Sequence, residues 1–311
     1  MANYITIDGG TTNTRVSLVC DMKILDVQKY AVGAKVGSEN KILKNTVKDA
    51  VNQILSDNNL KESDITRILA SGMITSEGGL CNLEHLVVPC GINELSSSMY
   101  ETAIDEISSI PFVFVRGVKM CGETLEDTDM MRGEETELIG LDESLRSDCL
   151  YVMPGSHSKL VFTDSKGRIS HFSTELTGEL ISAVADGTIL NNSIDLKNSK
   201  PDFRALCNGY EYCKNHGMNS ALFKVRILDK LLGKSSEEVF GFFLGAILAP
   251  EVENIINSNA KKVIICGKEE LKTPTAMLVR NYCDKEVREV CADVALNAAT
   301  IGIVRIFENK K

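Results

Sequence analysis

Hydrophobic and polar positions repeat with two different periods along this chain, and the switches between them outline its elements. Tyr4 to Ile7 is short and apolar, Arg15 to Cys20 alternates polar with apolar residues, and Ile24 to Tyr30 adds a third such run. A period near two predicts three strands. Between the first two lies Asp8-Gly9-Gly10-Thr11-Thr12-Asn13, a turn by composition. From about Glu39 to Ser56 the period lengthens, and Ile42, Val47, Ala50, Val51, Ile54 and Leu55 mark one face of a helix. Asp64 to Ala70 returns to strand and Ser71-Gly72 ends it. Pro111 to Val115 is a further strand, and Gly133 to Leu141 opens a helix.

The second half begins in the same way. Leu150 to Met153 reads as a strand, Pro154-Gly155-Ser156-His157-Ser158 as a polar turn, and Lys159 to Phe162 as the returning strand. Asp164 to Gly167 carries a tight-turn signal, and Ile169 to Phe172 continues the sheet. Helices are expected over Gly178–Leu190, Phe203–His216, Ala221–Leu232 and Glu237–Ile256. Lys262 to Cys266 forms a strand ending at Gly267, and Ala292 to Phe307 a closing apolar helix. Strand, polar turn and strand therefore occur twice, each time followed by further strand and then helix. The pattern predicts two similar α/β halves, residues 1–147 and 148–311, with the boundary near Arg146–Cys149.

Composition narrows the functional classes. The 311 residues are 43% hydrophobic and 25% charged, as in ordinary globular proteins. A net charge of −9 argues against a general partner of nucleic acid or of an anionic membrane, which need a surplus of Lys and Arg. An anionic small substrate needs only a local positive cluster. The opening MANYITIDGG runs straight into a strand pattern with no basic, apolar leader, which predicts a cytoplasmic protein. Apolar stretches are expected to fall short of the roughly 20 residues that span a bilayer. Ten cysteines without C-x-x-C spacing, and only four histidines, predict reduced and mostly buried thiols rather than disulfides or zinc.

Two turns and one helix start carry candidate chemistry. Gly9 and Gly10 let backbone approach a ligand, and successive amides there make an anion nest to which Thr11, Thr12 and Asn13 add neutral donors. Asp8, at the end of a buried strand, supplies a carboxylate for Mg²⁺, through water. The same residues also make an ordinary hairpin turn. The second turn brings Gly155 and Ser156 to a similar place, with His157 and Lys159 adding positive charge; the alternative is a plain turn with a solvated lysine. Two such hairpins facing across a cleft would grip a polyphosphate from both sides. The third feature is Met131-Arg132-Gly133-Glu134-Glu135-Thr136, two carboxylates opening a helix. Glu134 or Glu135 suits a base for an attacking hydroxyl, and Arg132 a bidentate contact to a substrate carboxylate. Acidic residues at a helix start also serve simply to complement its dipole.

The strings IDGGTTNTR, MRGEETELIG, LYVMPGSHSKLV and FSTELTGEL, in this order and spacing, resemble the 2-dehydro-3-deoxygalactonokinase family. The resemblance runs over nearly the whole chain. It implies two ribonuclease-H-like domains of the actin/hexokinase type, with a nucleotide cleft between them. It also implies transfer of the γ-phosphate of ATP, with Mg²⁺, to the 6-hydroxyl of 2-dehydro-3-deoxy-D-galactonate in D-galactonate breakdown. Gly10, Thr11 and Thr12 match the first phosphate hairpin of that family, and Gly155, Ser156 and His157 the second. Gly267 sits where the wider superfamily contacts adenosine. Ser76, Arg132 and Thr177 are the expected substrate contacts, and a homo-oligomer is compatible with the sequence. Two departures stand out: Leu160 follows Lys159 where the family often has Trp, and Pro250 falls inside an expected helix. A phosphohydrolase of the same superfamily, a kinase for another 2-keto-3-deoxy sugar acid, and a nucleotide-dependent assembly protein are the competing readings. A dehydratase activator would need cluster-ligating cysteines, and Cys81, Cys90 and Cys121 lack that spacing.

Overall fold

The computed structural model describes residues 2–34, 40–141, 147–197 and 200–309. The expected helix start at Glu39 and the boundary residue Arg146 lie outside them. The chain forms two compact units. One comprises residues 1–147, 164–171 and 293–311; the other comprises 148–163 and 172–292. A single cut at 147/148 therefore misplaces two segments, a short turn and the C-terminal helix.

In the first unit β1 (Asn3–Gly9), β2 (Thr14–Cys20) and β3 (Lys23–Tyr30) form an antiparallel meander. Helix α1 (Lys41–Asp57) crosses over to β4 (Arg67–Gly72), which lies parallel to β1 with Gly9 opposite Gly72. After β5 (Leu86–Val87), α2 (Ile92–Ser97) and β6 (Tyr100–Ile104) comes β7 (Ser108–Phe114), parallel to β4. The sheet order is β3-β2-β1-β4-β7-β6. β8 (Val118–Cys121) and β9 (Thr128–Met131) form a small sheet with β5, and α3 (Glu134–Gly140) follows. The face of α1 toward the sheet is Leu43, Val47, Ala50, Val51, Ile54 and Leu55. Ile42, expected in that face, is 69% exposed, and Leu43 takes its place because the stripe begins one residue later. Burying each of the Leu, Val and Ile side chains in this face stabilises the fold by about 1.5–3 kcal/mol.

The second sheet repeats this logic. β10 (Leu150–Met153) pairs antiparallel with β11 (Ser158–Thr163), and β12 (Ile169–Glu175) lies outside β11. Helices α4 (Thr177–Gly187), α5 (Phe203–His216), α6 (Met218–Lys230) and α7 (Ser236–Asn257) precede β13 (Lys262–Ile265), which is parallel to β10. α8 (Glu269–Tyr282), β14 (Glu286–Glu289) and α9 (Ala292–Glu308) complete the chain. The order β12-β11-β10-β13-β14 matches β3-β2-β1-β4-β7, so the two sheets share one topology.

α7 starts at a capping box in which Ser235 and Glu238 each accept the other's amide. It is apolar all round and runs unbroken through Pro250, whose ring is exposed. By length and composition α7 could cross a membrane, against the expectation that no stretch was long enough, but most of its apolar window is buried within the unit. α9 packs with the first unit because small residues meet there. A Cβ on Gly302 would collide with the Thr136 carbonyl, and one on Gly140 with that of Ala298. Arg305 Nη1 donates to the Ile139 carbonyl at 3.1 Å and to that of Leu141 at 2.5 Å. All ten cysteines are free thiols, four of them buried.

Candidate active site

In the first unit three separate chain segments converge at the carboxyl ends of β1 and β4. The β1–β2 turn is closed by the Gly10 amide donating to the Asn13 carbonyl at 2.8 Å. Thr11, Thr12 and Asn13 are exposed, and among the described residues their amides have no protein acceptor. That is the arrangement an anion nest requires. Gly72, at φ 81°, lies against the turn: a Cβ there would stand 2.5 Å from the Gly9 carbonyl oxygen and 3.6 Å from Asp8 Oδ1. Gly133, at φ 117°, in turn brings α3 within 3.3 Å of Gly72 Cα, measured from its own missing Cβ. Only glycine takes both dihedrals without strain while allowing so close an approach.

These contacts bring Asp8 beside the acidic start of α3. Burial raises the pKa of Asp8; Arg15 opposes the rise, and Glu134 adds to it. The two members of the expected acidic pair do different things. Glu135 is fully buried, and both its oxygens accept the Gly133 amide, at 3.0 and 2.8 Å, while Thr136 Oγ1 donates to one of them at 3.1 Å. Desolvation, followed by the charge of Glu134, pushes its pKa up to about 8. Glu134 is half-buried, and its Oε2 accepts the Arg132 amide at 3.1 Å. Glu137, which the sequence reading passed over, is also half-buried. Burial and the charges of Asp8, Glu134 and Glu135 push its pKa up to about 8. The signal was legible in hindsight, since Glu137 lies three residues from Glu134 and so on the same helical face.

The bidentate carboxylate contact expected of Arg132 does not fit the structure. Its Nη1 donates to the Thr75 carbonyl at 2.7 Å and to Thr75 Oγ1 at 2.6 Å. Its Nη2 donates to the Leu83 carbonyl at 2.9 Å and lies 3.3 Å from His85 Nδ1. Both terminal nitrogens are spent on tying the β4 turn to α3. Ser76 sits in that turn, half-buried, its hydroxyl donating to the Met73 carbonyl at 2.6 Å.

The second unit gathers a comparable set around the β10–β11 turn. A Cβ on Gly155 would meet nothing within 4 Å, so the backbone there borders open space. Ser156 and His157 are exposed, and their amides have no protein acceptor among the described residues. His157 Nε2 lies 3.0 Å from Glu179 Oε1. Lys159 is buried rather than solvated, with Nζ 3.4 Å from the His157 carbonyl. The amides of Gly178 and Glu179, otherwise orphaned at the start of α4, donate to the carbonyls of Gly155 and Ser156 at 3.1 and 3.2 Å. Gly267, at φ 130° beyond β13, packs on the same turn, where a Cβ would stand 2.9 Å from the Pro154 oxygen. Thr177, expected as a substrate contact, is buried, and its hydroxyl donates to Glu251 Oε2 at 2.5 Å. It belongs to this second set and not with Ser76 and Arg132.

The first set fits a hard divalent cation in its chemistry, since carboxylate oxygens predominate and Arg15 alone opposes the charge on Asp8. Among the described residues no three side chains are grouped to hold a metal. One or two carboxylates with water and phosphate completing the shell is the usual habit of Mg²⁺.

Comparison with known proteins bears on both sets. A model of the 2-keto-3-deoxy-galactonokinase family matches residues 8–306. The 2-dehydro-3-deoxygalactonokinase of Escherichia coli (strain K12) is 27% identical over 316 residues, covering 99% of each chain. A crystal structure from Sinorhizobium meliloti, given as a candidate 2-dehydro-3-deoxygalactonokinase, superposes with a TM-score of 0.80 at 22% identity, covering 98% of this chain and 96% of that one. A ligand-bound xylulose kinase from Lactobacillus acidophilus shares the fold more distantly, with a TM-score of 0.52 at 10% identity over 100% of this chain and 89% of its own. With a match reaching from the end of β1 into the closing helix, this chain belongs to the 2-keto-3-deoxy-galactonokinase family.

Proposed function

We propose that the chain is an ATP-dependent 2-dehydro-3-deoxygalactonokinase, transferring the γ-phosphoryl group of ATP to the 6-hydroxyl of 2-dehydro-3-deoxy-D-galactonate. The observation that carries this reading is the meeting of Asp8, the Gly72–Ser76 turn and the acidic start of α3, in a chain whose family match spans residues 8–306. In phosphoryl transfer a protein mainly positions groups and compensates charge. The free amides of Thr11, Thr12 and Asn13 are assigned as a phosphate-receiving nest in the first unit, and those of Ser156 and His157 as another in the second. Gly267 is assigned to the adenosine side of the second turn.

Asp8 would hold Mg²⁺, which when bound neutralises phosphate charge. Glu135 is the poorer candidate for the base, since its carboxyl is buried and accepts the Gly133 amide on both oxygens. Glu134, half-buried and coupled to Asp8, is assigned to orient the attacking hydroxyl. Glu137 supplies a third carboxyl to the same recess. Ser76 is retained as a sugar-acid contact, while Arg132 and Thr177 act on the frame of the two turns and not on the substrate. A cytoplasmic location suits ten free thiols.

The test is an ADP-coupled assay with MgATP over a panel of 2-keto-3-deoxy sugar acids, run beside phosphate release without acceptor. ADP formation strictly dependent on the galactonate-derived acid is expected. Acceptor-independent phosphate release at the same rate would replace the kinase reading with a hydrolase.

A further inference from the structure

A buried carboxyl stands behind the second turn with no part in the chemistry above. Glu251, on α7 directly after Pro250, is 2% exposed. One of its oxygens takes the Thr177 hydroxyl at 2.5 Å, and the other accepts no hydrogen bond among the described residues. Thr177 is the first residue of α4, and the next two amides of that helix hold the carbonyls of Gly155 and Ser156. On the other side of the turn Ser158, also buried, takes the Gly155 amide on its Oγ at 3.4 Å and stands close enough to Glu251 to favour its ionised form. Desolvation outweighs both hydroxyls and pushes the Glu251 pKa up to about 6. A core helix gains nothing by enclosing such a group, since a half-satisfied buried carboxyl costs stability that an apolar residue would not.

We propose that Glu251 is a positioning residue for nucleotide binding: through Thr177 and beside Ser158 it fixes the Gly155–Ser158 turn in its phosphate-receiving shape. This rests on the kinase reading. The side chain does not touch the nucleotide. It sets where the α4 start and the turn amides stand, so its loss loosens the turn while leaving the sugar-acid contacts of the first unit in place.

The test compares Glu251→Ala, Glu251→Gln and Thr177→Val with the unaltered protein, measuring MgATP affinity by calorimetry and both KM values in the coupled assay. Glu251→Ala is expected to raise the ATP Kd and KM about tenfold or more, the loss of one charge-assisted hydrogen bond, with the sugar-acid KM unchanged. Glu251→Gln, which keeps an acceptor for Thr177, recovers most of that loss. Thr177→Val, which can be read even if the alanine variant fails to fold, reproduces it. ATP affinity within twofold of normal in Glu251→Gln and Thr177→Val alike, with only the melting temperature lowered, overturns the inference. An unaltered protein that binds no MgATP refutes the kinase reading instead, and the inference with it.

Discussion

Gly178→Ala concentrates the structural argument in one methyl group. The added Cβ would stand 2.8 Å from Ser156 Cα and 2.9 Å from the Gly155 carbonyl carbon, and closer still to the Gly155 oxygen. Carbon atoms rest at about 3.5–4.0 Å, so α4 and the turn must part by about 1 Å. The neighbours are backbone, and no flexible side chain can give way. The parting also stretches the bonds from Gly178 and Glu179 to the turn, now 3.1 and 3.2 Å. Overpacking of this kind costs about 1–3 kcal/mol of stability. A displacement of about 1 Å in a positioning element lowers turnover about a hundredfold. Gly187→Ala is the control: it lies in the same helix, its Cβ would meet nothing within 4 Å, and it should be neutral or slightly stabilising. The assay is kcat/KM for ATP at saturating sugar acid, with melting curves on the same preparations. A Gly178→Ala protein with unaltered kcat/KM, or one whose loss only tracks its unfolded fraction, would refute the account of the turn.

Glu134→Gln should lower kcat by about 10²–10⁴, the usual contribution of a general base, with little change in ATP affinity; an unchanged kcat would move the role to Glu137. Asp8→Ala should lose nearly all turnover without unfolding, because its carboxyl is held in a site that disfavours its charge; normal turnover would remove the metal assignment. For Glu135 the sign follows from its raised pKa. Its stabilising contribution is complete below about pH 4.5 and is lost as pH rises toward about 8. Stability should therefore fall between about pH 5.5 and 7.5, by up to about 1.4 kcal/mol per pH unit from this group, and the melting temperature with it. Glu135→Gln should show a shallower fall, and equal slopes in calorimetry at the two pH values would contradict the burial argument.

Local pattern determined much of this protein. Alternation placed β1 and β2 around Asp8 to Asn13, and β10 and β11 around Gly155, because strand period and turn chemistry act over neighbouring residues. The resemblance carried by IDGGTTNTR and MRGEETELIG led to the family in the same way, through strings of contiguous residues. Tertiary packing decided what those residues do. Arg132 and Thr177 have side chains suited to a ligand, but Thr75, Leu83 and Glu251 lie within hydrogen-bonding reach and claim them. Nothing in Glu134-Glu135 says which carboxyl is enclosed. The fold answers by turning Glu135 back on Gly133 and leaving Glu134 beside Asp8. Glu251 reads as one more polar residue near the end of a helix, and only the meeting of α7 with α4 places it behind the β10–β11 turn. The last helix follows the second unit in sequence yet packs in the first, because Gly140 and Gly302 let two backbones approach where side chains would hold them apart. Hydrogen bonds and close contacts are made between atoms near in space, and spatial neighbours dozens of residues apart leave no periodic mark on the chain.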